Sequence, residues 1–545
     1  MRSTRVRRIL APLVVALALA LGLAPASSAA RPPKAAPPSK VVVIVVDALS
    51  REIVQKYGMT NIQALMRDGV NSPNALLGHL GSVTVVTHNV ITTGALPKNM
   101  GWTDEGYRDT GALIGPAGAM WVTSDFTSTQ MFALQKSAGY PKLADYLHAK
   151  RPGSKVVAIS PKTYAGYGLG GPGADSIVTF SGRNYDCDGN GKNWRGPDGV
   201  NVPAYLSQPA CGRFYVNSAK TLKYDTNTPP AWMYPLDGNR YTTGKDPDHE
   251  GSDVWAADAA IKVMDNESDW SGIFVTLPGV DKAAHMWGSI DDPGAQGPNG
   301  EPMTHMPAAT KIADEQVGKI VGHLRDTGQL DDTLVVLTAD HGSVPARSFY
   351  GVDKADQGYY NWYYGAFQNG SYLDPQPALQ PLLDTGNIEA TYSDSMVRAW
   401  LKDTSPDKVR EAVRVMDNLP GVSAVWVRQG SRFQRMTFHP QQMKGPELAW
   451  FVLTSQLLLD STAAPSGADV IATLVDDTTY SVAGDHGGIQ RRAQQIPIIF
   501  AGGGLRALNQ PAPIRSVDIM PTVLQAMQIT PTHKLDGVAY PLPRR

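Results

Sequence analysis

Between Gly78 and Trp102 the sequence GHLGSVTVVTHNVITTGALPKNMGW gathers hydroxyls, glycines and one proline into a short apolar segment. It reads as a loop that presents a nucleophile and runs into a helix. A hydroxyl is a weak nucleophile near neutral pH and needs a base or a metal to act as an alkoxide. Four other stretches place acids and imidazoles just beyond apolar or small-residue runs: Asp47 in VVVIVVDAL, Asp281 and His285 in LPGVDKAAH, Asp340 and His341 in VLTADHG, and His486 in VAGDHGG. These six side chains with one hydroxyl form a donor set suited to two divalent metals. Ser82, Thr84 and Thr87 are the candidate hydroxyls.

The elements that must position these residues follow from local pattern. Val41 to Val46 is a continuous β-branched run, as in a strand buried on both faces, and it ends at Asp47, where open α/β sheets collect ligands. Capping of a helix over Ser50 to Tyr57 is the competing duty for Asp47. Lys155 to Ser160 reads as a second core strand, closely followed by Lys162. Asp253 to Asp265 has helical spacing, and Ile273 to Leu277 reads as a strand. Asp281 and His285, four apart, project to one face of a helical turn and can share a metal. Ala308 to Thr327 carries an apolar stripe and stops at Gly328. Thr333 to Thr338 then delivers Asp340 and His341, with Gly342 expected to allow a sharp turn. Helices are also expected over Pro141 to Lys150 and Arg515 to Met527, and a strand over Ile496 to Ala501. Residues 390–427 read as a smaller α/β unit, with helices over Ser393 to Leu401 and Pro406 to Met416 and a strand over Ala424 to Val427. The alternation of strand and helix, without internal repeats, predicts an α/β fold: a mostly parallel central sheet with helices on both faces and a loop-rich insertion.

Composition narrows the classes. Residues 1–30 combine Arg2, Arg5, Arg7 and Arg8, an apolar run from Ile9 to Leu23 and the small-residue end PASSAA, and so read as a secretory signal peptide. The Arg7-Arg8 pair also suits twin-arginine export, though ordinary n-region charge explains it. RPPKAAPPSK (31–40) reads as a stiff leader, and 41–540 as one catalytic domain. Without residues 1–30 the chain has 45 basic and 50 acidic side chains, so no basic field for nucleic acid is evident. No further segment is long and apolar enough to span a bilayer. Cys187 and Cys211, the two cysteines of an exported chain, are expected to pair. They lie in a Gly-, Asp-, Asn- and Tyr-rich insertion, 181–251. There DCDGNG places Asp186, Asp188 and Asn190 at calcium-loop spacing, but Pro197 stands where the loop's final Glu belongs, so a plain Asx-rich turn competes with a calcium site.

Taken in order, the Asp after the first strand, a Thr ahead of T-G-x-x-P (Thr93, Gly94, Pro97), D-x-x-x-H, DHG and a late HG resemble the alkaline phosphatase superfamily, in particular its type I phosphodiesterase and nucleotide pyrophosphatase branch. The resemblance runs from Val41 to about Leu535. It implies Thr84, nine residues before Thr93, as nucleophile, forming a phosphothreonine that water then hydrolyses. It implies one zinc on Asp281, His285 and His486 and another on Asp47, Thr84, Asp340 and His341. The substrate would be a small phosphoester.

Two positions depart from the family pattern. Where the branch has a phosphate-binding Asn, 21 residues after its nucleophile, stands Glu105, whose carboxylate would repel a phosphate oxygen. SPKTYAG resembles the monoesterase branch's K-x-R, with Lys162 matching and Tyr164 in place of Arg. Loss of that Arg removes a bidentate clamp for a dianionic monoester and favours diesters. A phosphomonoesterase on the same scaffold is the alternative, and a secreted binding protein without turnover a more distant one. Sulfate hydrolysis is disfavoured because the loop lacks C/S-x-P-x-R.

Overall fold

A computed structural model describes residues 36–180, 194–195, 203–206, 251–287, 289–291, 305–350, 377–481 and 484–545. The expected signal peptide, most of the expected leader, most of the 181–251 insertion with Cys187 and Cys211, and the Asp186, Asp188 and Asn190 stretch lie outside these residues.

A nine-stranded sheet forms the centre. Its order is Leu508–Asn509, Val70–Asn71, Ile498–Gly502, Thr333–Thr338, Lys40–Val46, Trp270–Leu277, Lys155–Ser160, Ser176–Phe180 and Trp194–Arg195. The five strands from Thr333–Thr338 to Ser176–Phe180 are mutually parallel, while Ile498–Gly502 runs antiparallel to Thr333–Thr338. The run KVVVIVV occupies the middle because every residue from Val41 to Val46 can be buried without leaving a polar side chain unmet. Register sets the function of this core. Val46 pairs with Leu277 and Val45 with Thr338, so Asp47, Asp281 and Asp340 all emerge just past the same end of adjacent strands.

Helices Thr84–Thr93, Thr163–Gly170, Gly251–Asn266, Gly279–Trp287 and His305–Asp326 flank the sheet. Most expected elements appear with shifted ends, such as Leu143–Lys150 within 141–150 and Ile519–Ala526 within 515–527. The helix expected over Ser393 to Leu401 is instead a hairpin of Ile388–Ser393 and Met396–Leu401, part of a second, five-stranded antiparallel sheet. All six residues of Met396–Leu401 are buried, because both faces of this sheet are packed: Val397, Ala399 and Leu401 enter one apolar cluster, and Met396 and Trp400 enter another. Arg398 among them looks like the polar side of a helix but is paired inside the protein. Helix Gly445–Asp460 carries no sequence signal of its own face, since Val452, Leu453 and Leu457 are exposed while Phe451, Leu458 and Leu459 are buried.

Candidate metal centre and nucleophile

Ser50, not Asp47, caps helix Arg51–Lys56: its hydroxyl accepts the Ile53 N–H at 3.1 Å. Asp47 therefore turns inward from the strand end. The chain leaves it through Ala48 at φ 60°, a left-handed conformation that costs a non-glycine residue of order 1–3 kcal/mol. The Ala48 N–H donates to Asp340 Oδ1 at 3.3 Å, which ties the two strand ends together.

Six acidic and imidazole side chains converge as two trios, Asp281 with His285 and His486, and Asp47 with Asp340 and His341. Within each trio one ligand atom per residue lies within 4.8 Å of the others. Helix Gly279–Trp287 carries Asp281 and His285 one turn apart, leaving His285 Nε2 3.2 Å from Asp281 Oδ1. His486 Nε2 is 3.9 Å from the same oxygen, and its ring stacks on His341 at 3.7 Å between centroids. The tautomers are set from behind. His285 Nδ1 donates to Gly484 O at 2.8 Å, His486 Nδ1 to Ser82 O at 2.9 Å and His341 Nδ1 to Gly342 O at 3.0 Å. A carbonyl can only accept, so each Nδ1 carries the proton and each Nε2 lone pair faces the site.

Gly342 is needed for a different reason from the one its position implied. Its φ is not left-handed; a Cβ would instead lie 1.9 Å from Arg492 O, while its N–H donates to Ala493 O at 2.8 Å. Gly342→Ala must push this backbone apart, and a loss of about 1–3 kcal/mol is expected in chemical denaturation.

Thr84 is the first residue of helix Thr84–Thr93, which no side chain caps. Its hydroxyl is 3.3 Å from His341 Nε2 and 3.5 Å from Lys162 Nζ. The open first turn leaves backbone N–H groups and the positive end of the helix dipole beside this oxygen. The competing hydroxyls have other surroundings. Thr87 donates to Val83 O within the helix at 3.1 Å. The Ser82 hydroxyl is buried without a hydrogen bond among the described residues, and it is the Ser82 carbonyl that meets His486.

Lys162 is buried in the site, not on the surface. Its Nζ donates to Asp47 Oδ2 at 2.5 Å and to Asp281 Oδ2 at 2.6 Å, so one ammonium spans both trios. Burial alone would lower its pKa, but Asp281 and Asp47 outweigh burial and hold it well above the usual lysine value. Tyr164 follows on helix Thr163–Gly170. Burial, opposed by Lys162 and aided by Glu105, Asp47 and Asp281, raises its phenol above the ordinary value. Glu105 thus lies within electrostatic reach of the centre, and its carboxylate accepts a hydrogen bond from the Tyr392 hydroxyl.

The electrostatics test whether cations fit. Burial and then the Asp281 charge raise Asp47 well above the carboxylate range, and burial pushes Asp340 up to about 6. Asp47 Oδ1 and Asp340 Oδ2 accept no hydrogen bond among the described residues. Burial and the neighbouring imidazoles keep His486 far below its usual pKa, hence neutral. Three crowded carboxylates and three imidazoles with Nε2 aimed inward are the donors that divalent cations satisfy.

Sequence reasoning missed one support. His88, four residues after Thr84, is buried and pushed down to about 3, chiefly by burial; its Nδ1 donates to Thr84 O at 2.8 Å and its Nε2 contacts Thr276 Oγ1 at 3.0 Å. The i, i+4 spacing from Thr84 was the available signal.

Residues 41–488 match the family described as Type I phosphodiesterase / nucleotide pyrophosphatase. Alkaline phosphatase PhoD of Zymomonas mobilis subsp. mobilis is 24% identical over 538 residues, covering 90% of this chain and 85% of that protein. Among solved structures, wild-type alkaline phosphatase PafA superposes with a TM-score of 0.60 at 15% identity, over 92% of this chain and 98% of that one. Murine ectonucleotide pyrophosphatase/phosphodiesterase 5 does so with 0.51 at 11% identity, over 91% and 96%. With the family match spanning most of the chain and this fold around the two trios, the protein belongs to the type I phosphodiesterase/nucleotide pyrophosphatase family of the alkaline phosphatase superfamily and is a phosphoester hydrolase.

Proposed function

We propose that the protein is a secreted hydrolase of phosphodiester or nucleotide pyrophosphate bonds, acting through Thr84 at a two-zinc site. The observation that carries this reading is a pair of adjoining donor trios beside a buried hydroxyl: Thr84 Oγ1 lies against His341, His341 stacks on His486, and Lys162 links Asp47 and Asp281. Asp281, His285 and His486 would hold one cation, and Asp47, Asp340, His341 and Thr84 the other. Mixed imidazole and carboxylate donors in sets of three or four suit Zn²⁺, which when bound neutralises charge on the attacking and leaving oxygens of an in-line displacement.

Thr84 Oγ1 forms the bond to phosphorus as the bond to the leaving oxygen breaks, giving a phosphothreonine that keeps the substrate's other ester group, and a free alcohol or phosphate. Water then attacks phosphorus and restores the Thr84 hydroxyl. The helix N-terminus at Thr84 and the Lys162 ammonium stabilise the phosphoryl oxygens. His88, by binding the Thr84 carbonyl, keeps this first turn in place.

Tyr164 argues for diesters, since a phenol offers one donor where a guanidinium would clamp two oxygens of a dianion. Lys162 in the site favours the second reading, a phosphomonoesterase, a direction also suggested by the names of PhoD and PafA. Turnover of bis-p-nitrophenyl phosphate against p-nitrophenyl phosphate separates them. The diester should have the higher kcat/KM, and Tyr164→Arg should move the ratio towards the monoester. A tenfold preference of the wild type for the monoester, about 1.4 kcal/mol of transition-state binding, would select the phosphomonoesterase. Export rests on residues 1–30; among the described residues no helix is long and apolar enough to cross a membrane.

A further inference from the structure

Arg398 is completely buried, and a buried guanidinium persists only where its charge is met. Two carboxylates from different segments meet it: Asp394 Oδ2 lies 2.7 Å from Nη2, and Asp104 pairs with Nε. Asp104 is built into the segment that carries Glu105, and Asp394 packs against the turn that carries His486.

On one side, Asp394 Oδ1 accepts the Met396 N–H at 2.9 Å, which holds the hairpin turn. The next residue, Ser395, donates its N–H to His486 O at 3.0 Å. Gly487 lies against the Asp394 carboxylate so closely that a Cβ would come within 2.2 Å of Oδ2, and one on Gly488 would come within 2.8 Å of Ser395 O. The turn that presents His486 therefore rests on Asp394 and Ser395. On the other side, Asp104 Oδ1 accepts the Glu105 N–H at 2.8 Å, and the Asp104 carbonyl accepts from Trp102 Nε1 at 3.2 Å. Tyr392, whose ring lies under the Arg398 guanidinium at 5.0 Å, hydrogen-bonds the Glu105 carboxylate.

We infer that Arg398 is a positioning residue for the hydrolytic site: through Asp394 it holds the turn carrying His486, and through Asp104 it holds the segment carrying Glu105. The second sheet thereby sets both a metal-facing imidazole and one wall of the substrate cleft. This rests on the two-cation reading above. A purely structural Arg398 would lower the melting temperature on disruption without distinguishing one trio from the other.

The test uses Asp394→Asn and Asp104→Asn in the full chain. Each keeps the side-chain oxygen that accepts a backbone N–H and turns an amide NH2 towards Arg398, which removes the charge and the acceptor together. Zinc affinities of both sites are read by competition with a chromogenic chelator, with melting temperatures in parallel. Asp394→Asn should weaken the Asp281, His285 and His486 site by about tenfold or more, the scale of outer-shell effects on metal sites, and spare the Asp47, Asp340 and His341 site. Asp104→Asn should retain both cations and raise KM for the diester by about threefold or more. Arg398→Lys, which keeps the charge on a single-headed donor, should lie between wild type and Asp394→Asn in zinc affinity. Equal affinities in Asp394→Asn and wild type, or equal losses at both sites, would overturn the role of Arg398. A wild type that takes up fewer than two cations would instead overturn the functional reading beneath it.

Discussion

Thr84→Ala should lower kcat for the diester by about 10⁴-fold or more, the scale seen when a covalent nucleophile is removed. The variant should fold normally. Thr84 sits at the first position of its helix and its hydroxyl caps nothing, so alanine removes no helix hydrogen bond and has the better helix propensity. Its neighbours are also held independently: His341 by Gly342 O, and the helix turn by His88. Ser82→Ala should cost far less, because the group Ser82 lends to the site is its carbonyl, which alanine retains. Quenched reactions with a ³²P-labelled diester should trap label on Thr84 of the wild type, as phosphothreonine still esterified to the retained substituent, and none in Thr84→Ala. Label on Ser82, or activity in Thr84→Ala near that of the wild type, would move the nucleophile elsewhere.

The second large effect is expected from His486→Ala. Its imidazole is one of three donors in its trio and stacks on His341 of the other, so the loss removes a ligand and loosens a neighbour. Zinc content should fall from two ions per chain to one. The remaining ion should stay with Asp47, Asp340 and His341, where two buried carboxylates still lie side by side. Activity should drop by about 10²-fold or more, as expected when one of two oxygens in the displacement loses its Lewis acid. Element analysis after dialysis with zinc checks the stoichiometry. Two ions retained in His486→Ala would remove His486 from the ligand set.

Pattern in the sequence was sufficient for those parts of the molecule whose information is local. The run Val41 to Val46 can only be a strand covered on both faces, and Thr333 to Thr338 appears with the expected bounds. Asp281 and His285 share a helical turn because four residues of chain place them there whatever surrounds them. The order of the motifs carried the family and, with it, the mostly parallel sheet. What remained open depends on segments hundreds of residues apart. Val45 opposite Thr338 and Val46 opposite Leu277 bring three carboxylates to one end of the sheet, and only that register makes Lys162 a buried bridge between them. The choice among Ser82, Thr84 and Thr87 turns on what each hydroxyl meets in space, since all three have similar neighbours in sequence. Arg398 is the extreme case. The stretch Ser393 to Leu401 reads as a helix, whereas the folded chain makes Met396–Leu401 a strand and buries Arg398 between Asp104 and Asp394. Periodicity reports how a segment divides apolar from polar groups, but whether a polar group meets water or a partner inside the protein is decided when the sheets assemble.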